Sequence, residues 1–187
     1  MAKLSERTEQ GDLVLRARTE TEALGRLYEM YYGWIFRFCV HRLFDKEIAE
    51  DVTSAVFLEV ARRIRTFGGR TEQDFANWVY AIAANQTNAY IRKRSRRKKL
   101  LEQAAGSVGA CHSIDNNSEP DWPRLYAAIL KLKPKHQTIV TLRFFENLPY
   151  KQIAQSMNIK EATLRVTLHR ILDKLRAHLQ NAFDAEV

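Results

Sequence analysis

Cysteine is scarce in this chain: Cys39 and Cys111 are the only two in 187 residues. Two such distant thiols give no disulfide framework and no zinc-ligand spacing. Cys39 falls among aromatic and aliphatic residues, as a buried thiol does. The Cys111-His112 pair stands alone in a polar stretch, so neither a metal nor any other cofactor is expected. Long apolar runs are also missing. The N-terminus is polar and charged, unlike a signal peptide. No run approaches the roughly 20 apolar residues of a membrane span. The expectation is a soluble, cytoplasmic protein without a membrane partner. No extended strand pattern occurs, and no internal repeat. Catalytic groupings are absent as well. His136 and His169 have no nucleophile or carboxylate at a triad-like or metal-like spacing, and Glu50-Asp51 reads as an acidic helix start. The chain is not expected to be an enzyme.

Positive charge is what the sequence does supply. Lys and Arg number 30 against 22 Asp and Glu, a formal net charge of +8. That balance favours a polyanionic partner and says nothing of fold. The densest basic run is Arg92 to Lys99, seven basic residues in eight. It continues a stretch that carries Trp78, Tyr80, Asn85, Gln86 and Asn88. By itself such a run reads as a solvated face or tail, a nuclear localisation signal or a phosphate-binding surface; with these neighbours it suits unpaired nucleotides, whose bases stack on rings and bond amides while cations hold phosphates.

Periodicity predicts helices throughout. Residues 1–20 read as a partly ordered segment. From Thr21, with Thr19 or Thr21 as cap, Leu24, Leu27, Tyr28, Tyr31, Ile35, Phe38 and Cys39 recur at helical spacing. Asp45 suits an N-cap for a second helix to about Ile64, striped by Ile48, Val52, Val56 and Val60. Phe57 and Leu58 widen its apolar surface to one side. Phe67-Gly68-Gly69-Arg70 reads as a loop. A third helix from about Asp74 holds Phe75, Trp78, Val79, Ile82, Ala83 and Tyr90 and enters the basic run. Gly, Ser and Asn between Ala104 and Pro120 mark a linker. Beyond it come a short helix with Leu125, Ile129 and Leu132, a break at Lys133-Pro134-Lys135, and a helix with Ile139 to Phe145.

The segment from Leu148 to Leu175 organises the C-terminal part. Pro149 has no N–H to lose at a helix start, and Asn158 tolerates a left-handed turn. The following helix keeps Leu164, Leu168, Ile171, Leu175 and Leu179 on one stripe. Two helices joined by so tight a turn have the arrangement of a helix-turn-helix, whose second helix enters the major groove of DNA; the alternative is a helical hairpin that packs and binds nothing. Arg165 and Arg170 lie off the stripe and suit guanine. Val166 faces either a thymine methyl or the core. Lys160 cannot accept the N–H bonds a Ser cap would and opposes the helix dipole, a loss of about 1 kcal/mol. The fold class is all-α: two small helical domains joined by a flexible linker, the second a four-helix or winged-helix-like helix-turn-helix domain. The expected division is 1–20, 21–100, a linker over 101–121, and 122–187.

Three segments in this order, AEDVTSAVFL (Ala49 to Leu58), FANWVYAIAANQTNAYIRKRSRR (Phe75 to Arg97) and LPYKQIAQSMNIKEATLRVTLHRILDKLR (Leu148 to Arg176), resemble a bacterial sigma factor of the extracytoplasmic-function group. The resemblance covers about Ala23 to Leu179. It implies that the chain joins core RNA polymerase and reads promoter DNA, with an anti-sigma factor as a further partner common in the family. Asp51, Ser54, Ala55, Phe57 and Leu58 fall on the polymerase-gripping helix, with Ser54-Ala55 standing where the family usually has Gln-Glu. Phe67, Arg70, Asn77, Trp78, Asn85, Asn88, Arg92, Lys93 and Arg96 fall where the family reads and melts the −10 element. Lys160, Glu161, Thr163, Arg165, Val166, Thr167, His169 and Arg170 fall where it reads the −35 element. The alternative reading is a helix-turn-helix regulator that binds duplex DNA without joining polymerase.

Overall fold

A computed structural model describes residues 13–105 and 122–184. The expectations for residues 1–12, for Cys111-His112 and for most of the linker lie outside the described residues. Residues 13–20 belong to the first packed unit: a helical turn at 13–16 buries Val14, and Ala17 is buried beside it.

Helix α1, Thr21–Leu43, buries Leu27, Tyr31, Ile35, Phe38, Cys39 and Leu43 along one face. Neither Thr19 nor Thr21 caps it. Glu20 holds the N-cap position without a side-chain bond, and the Thr19 hydroxyl donates instead to the Arg16 carbonyl at 3.3 Å. The helix stops at Phe44, which is left-handed at φ 53° and donates its N–H to Val40 O. A ring at positive φ is unfavourable by about 1–2 kcal/mol, and this one is held by edge-on packing against Tyr126 at 4.5 Å. Asp45 then caps α2, Lys46–Arg63, accepting from the Ile48 N–H at 3.1 Å. A 3₁₀ turn, Ile64–Thr66, closes α2.

Helix α3 runs from Glu72 to Ala105. It starts two residues before the expected Asp74 because Thr71 and Asp74 cap each other reciprocally. Asp74 N–H donates to Thr71 Oγ1 and Thr71 N–H donates to Asp74 Oδ2, both at 3.1 Å, so orphan N–H groups of the first turn find partners. The helix carries on through the basic run and through residues 101–105, which composition assigned to the linker. Helices α1, α2 and α3 pack on one another around Phe38, Val56, Phe75, Val79 and Ala83.

The second unit contains α4, Trp122–Leu130, and α5, Pro134–Val140. Pro134 sits in the first turn of α5, where a missing N–H is harmless. The chain continues as a π-helical turn, Thr141–Phe145. Helices α6, Tyr150–Ser156, and α7, Glu161–Asp184, complete it. Asn158 turns the chain between them at φ 51°. Leu164, Leu168, Ile171 and Leu175 of α7 are buried, as are Ile153 and the small Ala154 of α6. Among the described residues there is no strand, and no helix is long and apolar enough to cross a membrane.

The two units also pack against each other. Helix α3 lies on α5 and α6, and α1 lies on the π-helical turn.

Candidate nucleic-acid interface

The exposed face of α2 is built by helical spacing. Asp51, Ser54 and Leu58 are exposed and Ala55 is half-buried, and steps of three and four put them on one stripe. Leu58 keeps 52% of its surface, whereas Phe57 keeps 8%. Phe57 is therefore corrected from a surface residue to a support. Its ring packs edge-on against Tyr28 at 4.8 Å and near Tyr32 at 6.2 Å, holding α2 on α1.

The loop before α3 presents aromatic rings. Phe67 stacks on Trp78 with centroids 4.5 Å apart and planes 19° apart. Gly69 makes that fold-over possible, because a Cβ there would sit 2.3 Å from Phe67 Cζ. Arg18 pins the loop by donating to the Gly69 carbonyl at 2.6 Å. Asp74 anchors it further by accepting from the Arg70 N–H at 3.1 Å. The Thr71 hydroxyl, then the Arg70 and Thr71 N–H groups, hold the Asp74 carboxyl below its ordinary range against some desolvation. Arg70, Asn85, Arg92, Lys93 and Arg96 are exposed, and Trp78 is half-buried.

Asn77 and Asn88 are placed differently. They are 8% and 7% exposed, and both face the second unit. Asn77 Nδ2 donates to Gln155 Oε1 of α6 at 2.8 Å. Asn88 Oδ1 accepts from Arg42 at 2.9 Å and lies 3.4 Å from the Thr138 hydroxyl. Nothing in the local sequence signals these partners.

On α7 the expected readers divide by side. Arg165, Val166, His169 and Arg170 are exposed and line one shallow outward recess. Val166 keeps 53% of its surface, so it points outward and the core alternative falls. Thr163 and Thr167 instead line a cavity of about 440 Å³ facing Asn85 and Asn88 of α3. Arg165 is held on two sides. Glu161 accepts from it at 2.6 Å, and its guanidinium lies over the Tyr150 ring at 4.5 Å. Arg143 occupies a second position on that ring at 4.9 Å. His169 does have a carboxylate neighbour, contrary to expectation: Asp173, one turn on, at 2.9 Å. Both are largely exposed, as in an ordinary surface pair. Lys160 is exposed just before α7. Among the described residues no group of three His, Cys, Asp or Glu could hold a metal ion.

Two family models match the chain in order: sigma-70 region 2 over residues 27–97 and sigma-70 region 4 over residues 123–175. The extracytoplasmic-function (ECF) sigma factor BldN of Streptomyces coelicolor is 32% identical over 171 residues, which is 88% of this chain and 63% of that protein. SigW of Bacillus subtilis, another ECF sigma factor, is 25% identical over 87% of this chain and 91% of its own. The chain belongs to the ECF sigma factors. Its fold is that of the sigma factor RpoE from Bartonella quintana, solved with the anti-sigma factor NepR. The TM-score is 0.61 at 15% identity, covering 83% of this chain and 96% of that one. Region 2 of this sigma factor thus comprises most of α1, all of α2 and most of α3, and region 4 spans α4 to the middle of α7.

Proposed function

We propose that this sigma factor binds core RNA polymerase and directs it to promoters with two DNA-reading surfaces, one on each domain. The observation that carries this reading is the order of the two family matches on one chain, region 2 before region 4. The proposed domains are 21–100 and 122–187, joined through 101–121. Asp51, Ser54, Ala55 and Leu58 are the polymerase-facing stripe, and Phe57 supports it from below. Phe67, Arg70, Asn77, Trp78, Asn85 and Asn88 read and hold the opened −10 strand. Stacking on rings and capture of an extruded base offset the loss of base pairing. Arg92, Lys93 and Arg96 neutralise phosphates. Lys160, Glu161, Thr163, Arg165, Val166, Thr167, His169 and Arg170 read the −35 duplex from the major groove. Arg165 and Arg170 suit guanine, and Val166 suits a thymine methyl.

The chain contributes no catalytic residue in this reading; polymerase supplies the active site. It works in the cytoplasm. An anti-sigma protein is a further partner, supported by the NepR complex of the RpoE neighbour. The deciding experiment is binding of the full chain to bacterial core RNA polymerase. Tight binding that Asp51→Arg or Leu58→Arg abolishes, with the helical signal unchanged, is the expected result. No binding, with duplex DNA still held, would leave a helix-turn-helix regulator that acts alone.

A further inference from the structure

A recess of about 310 Å³ opens within region 4, between the turn that joins α4 to α5 and the second half of α7. Three lysines and two histidines line it: Lys131, Lys133 and His136 from the turn and the start of α5, and Lys174 and His178 from α7. Leu132 and Ala177 complete the lining, and no carboxylate takes part among the described residues. Asp173, next to Lys174 in sequence, is engaged elsewhere, by His169 and Arg176. Like charges gathered around one concavity repel one another, and an anion between them would turn that repulsion into attraction.

The cluster sits on fixed supports. The Gln137 side chain, buried beneath the turn, donates to the Leu132 carbonyl at 2.9 Å and to the Leu130 carbonyl at 3.1 Å. Those two bonds hold the turn that carries Lys131 and Lys133. Ile171 and Leu175 are buried and anchor α7 on either side of Lys174. His136 adds a ring nitrogen, Nδ1, that is buried without a partner. Burial, then the charges of Lys174 and Lys133, hold the His136 pKa below its ordinary value. The groups that face this ring are Lys131, Lys133, Lys174 and His178, none of which can balance a proton on it.

We propose that this recess binds a diphosphate group, free or at the end of a nucleotide. Lysine ammonium groups act as point charges that suit phosphate oxygens. A single carboxylate would leave most of the lysines uncompensated, whereas two linked phosphates present charge and oxygens to both walls. Leu132 and Ala177 offer too little apolar surface to seat a nucleobase, so recognition ends at the phosphates. The DNA backbone is the other source of phosphate. A helix-turn-helix points the N-terminal residues of its second helix at the bases, and Lys174 and His178 lie beyond Arg170 toward the other end of α7. That placement favours the free anion, and the proposal stands whether or not the chain joins polymerase.

The test titrates the full chain with inorganic diphosphate in a calorimeter at fixed ionic strength. One variant, Lys131→Ala with Lys174→Ala, changes two exposed positions and leaves the fold intact. A second, Lys46→Ala with Arg62→Ala, removes the same charge from exposed positions of α2. The expected result is one diphosphate bound per wild-type chain, about tenfold weaker binding in the first variant, and wild-type binding in the second. Imidazole resonances give a separate readout. Saturating diphosphate should raise the proton affinity of His136 about tenfold, since an adjacent anion favours imidazolium, and leave His169 unmoved. No binding, equal weakening in both variants, or an unshifted His136 each overturns the proposal. Anisotropy of a labelled DNA duplex separates the two sources of phosphate. Unchanged DNA affinity in the first variant supports the free anion. Weaker DNA binding with a shallower salt dependence, and no diphosphate bound, gives the recess to the DNA backbone and overturns the proposal.

Discussion

The rings of Phe67 and Trp78 lie 4.5 Å apart and within 19° of parallel, so the loop that follows α2 is folded down onto α3. Gly69 is the residue that permits this. A methyl group there would meet Phe67 Cζ at 2.3 Å and Asp74 Cβ at 2.6 Å. Gly69→Ala is expected to lift Phe67 off Trp78 and to lower stability by about 1–3 kcal/mol, as overpacking does. Near-UV circular dichroism and a denaturant titration check it. An unchanged aromatic signal and midpoint would show that the stack does not depend on the glycine.

Leu58 and Phe57 are neighbours in sequence with opposite consequences. Phe57→Ala removes a buried ring and is expected to destabilise the chain by about 3–5 kcal/mol. Leu58→Arg, at an exposed position, should leave the melting curve within about 0.5 kcal/mol of wild type while polymerase binding is abolished. Thermal unfolding beside a pull-down with core polymerase separates the two. Equal stability losses would contradict the placement of these side chains.

The reciprocal cap of Thr71 and Asp74 holds the start of α3. Asp74→Ala is expected to cost about 1 kcal/mol, the usual range for removal of a cap. The Asp74 carboxyl is held below its ordinary range, so its contribution is present above the unfolded value and fades as pH falls through the lower folded value. Urea midpoints of wild type and variant should therefore converge in strong acid. A constant gap down to low pH would assign the loss to something other than the carboxylate.

Cys39 gives the opposite sign at alkaline pH. Burial pushes its thiol up to about 11, partly offset by the Thr53 hydrogen bond. The unfolded thiol ionises first, so stability is full below its ordinary value and declines as pH rises through about 11. Cys39→Ala should lower stability at neutral pH by removing a packed side chain, yet flatten the decline between pH 9 and 11. Parallel decline in both chains would locate the alkaline loss elsewhere, with the buried Tyr31 and Tyr80 hydroxyls next in line, since burial raises both.

Arg92, Lys93 and Arg96 project from α3 into solvent. Replacing all three by Ala should flatten the dependence of DNA affinity on salt by about 0.7–0.9 log units for each phosphate they neutralise. Titration at several salt concentrations measures the slope. A slope equal to that of wild type would mean that these cations do not meet phosphate.

Most of the fold was legible because the helices carry their own periodicity. The stripes of α1, α2 and α7 predicted buried residues such as Leu27, Val56 and Leu164, which are buried. The division between Phe57 and Leu58 was not legible, since one step of about 100° around a helix separates core from surface. Composition ended α3 early, although Gly106, directly after Ala105, is a stop signal of the usual kind. The domain interface left no trace. Arg42 and Glu146 look like ordinary surface residues and Asn77 and Asn88 like DNA contacts, and their long-range partners lie 46 to 109 positions away, beyond any local pattern. The accessibility of the expected site residues was not legible, because cover by a second domain is a tertiary fact.

Helix α3 is one unbroken element of 34 residues. At about 1.5 Å per residue it is a rod roughly 50 Å long, with Glu72 beside the aromatic loop at one end and Ala105 at the other. The chain therefore leaves region 2 from the far tip of a stiff spar. Inserting or deleting one residue at Arg92 would turn the rest of α3 by about 100° and shift it by about 1.5 Å. The buried half of α3, from Phe75 to Asn88, is packed on its neighbours, so the exposed stretch from Arg92 to Arg97 is carried as a lever whose direction that packing sets.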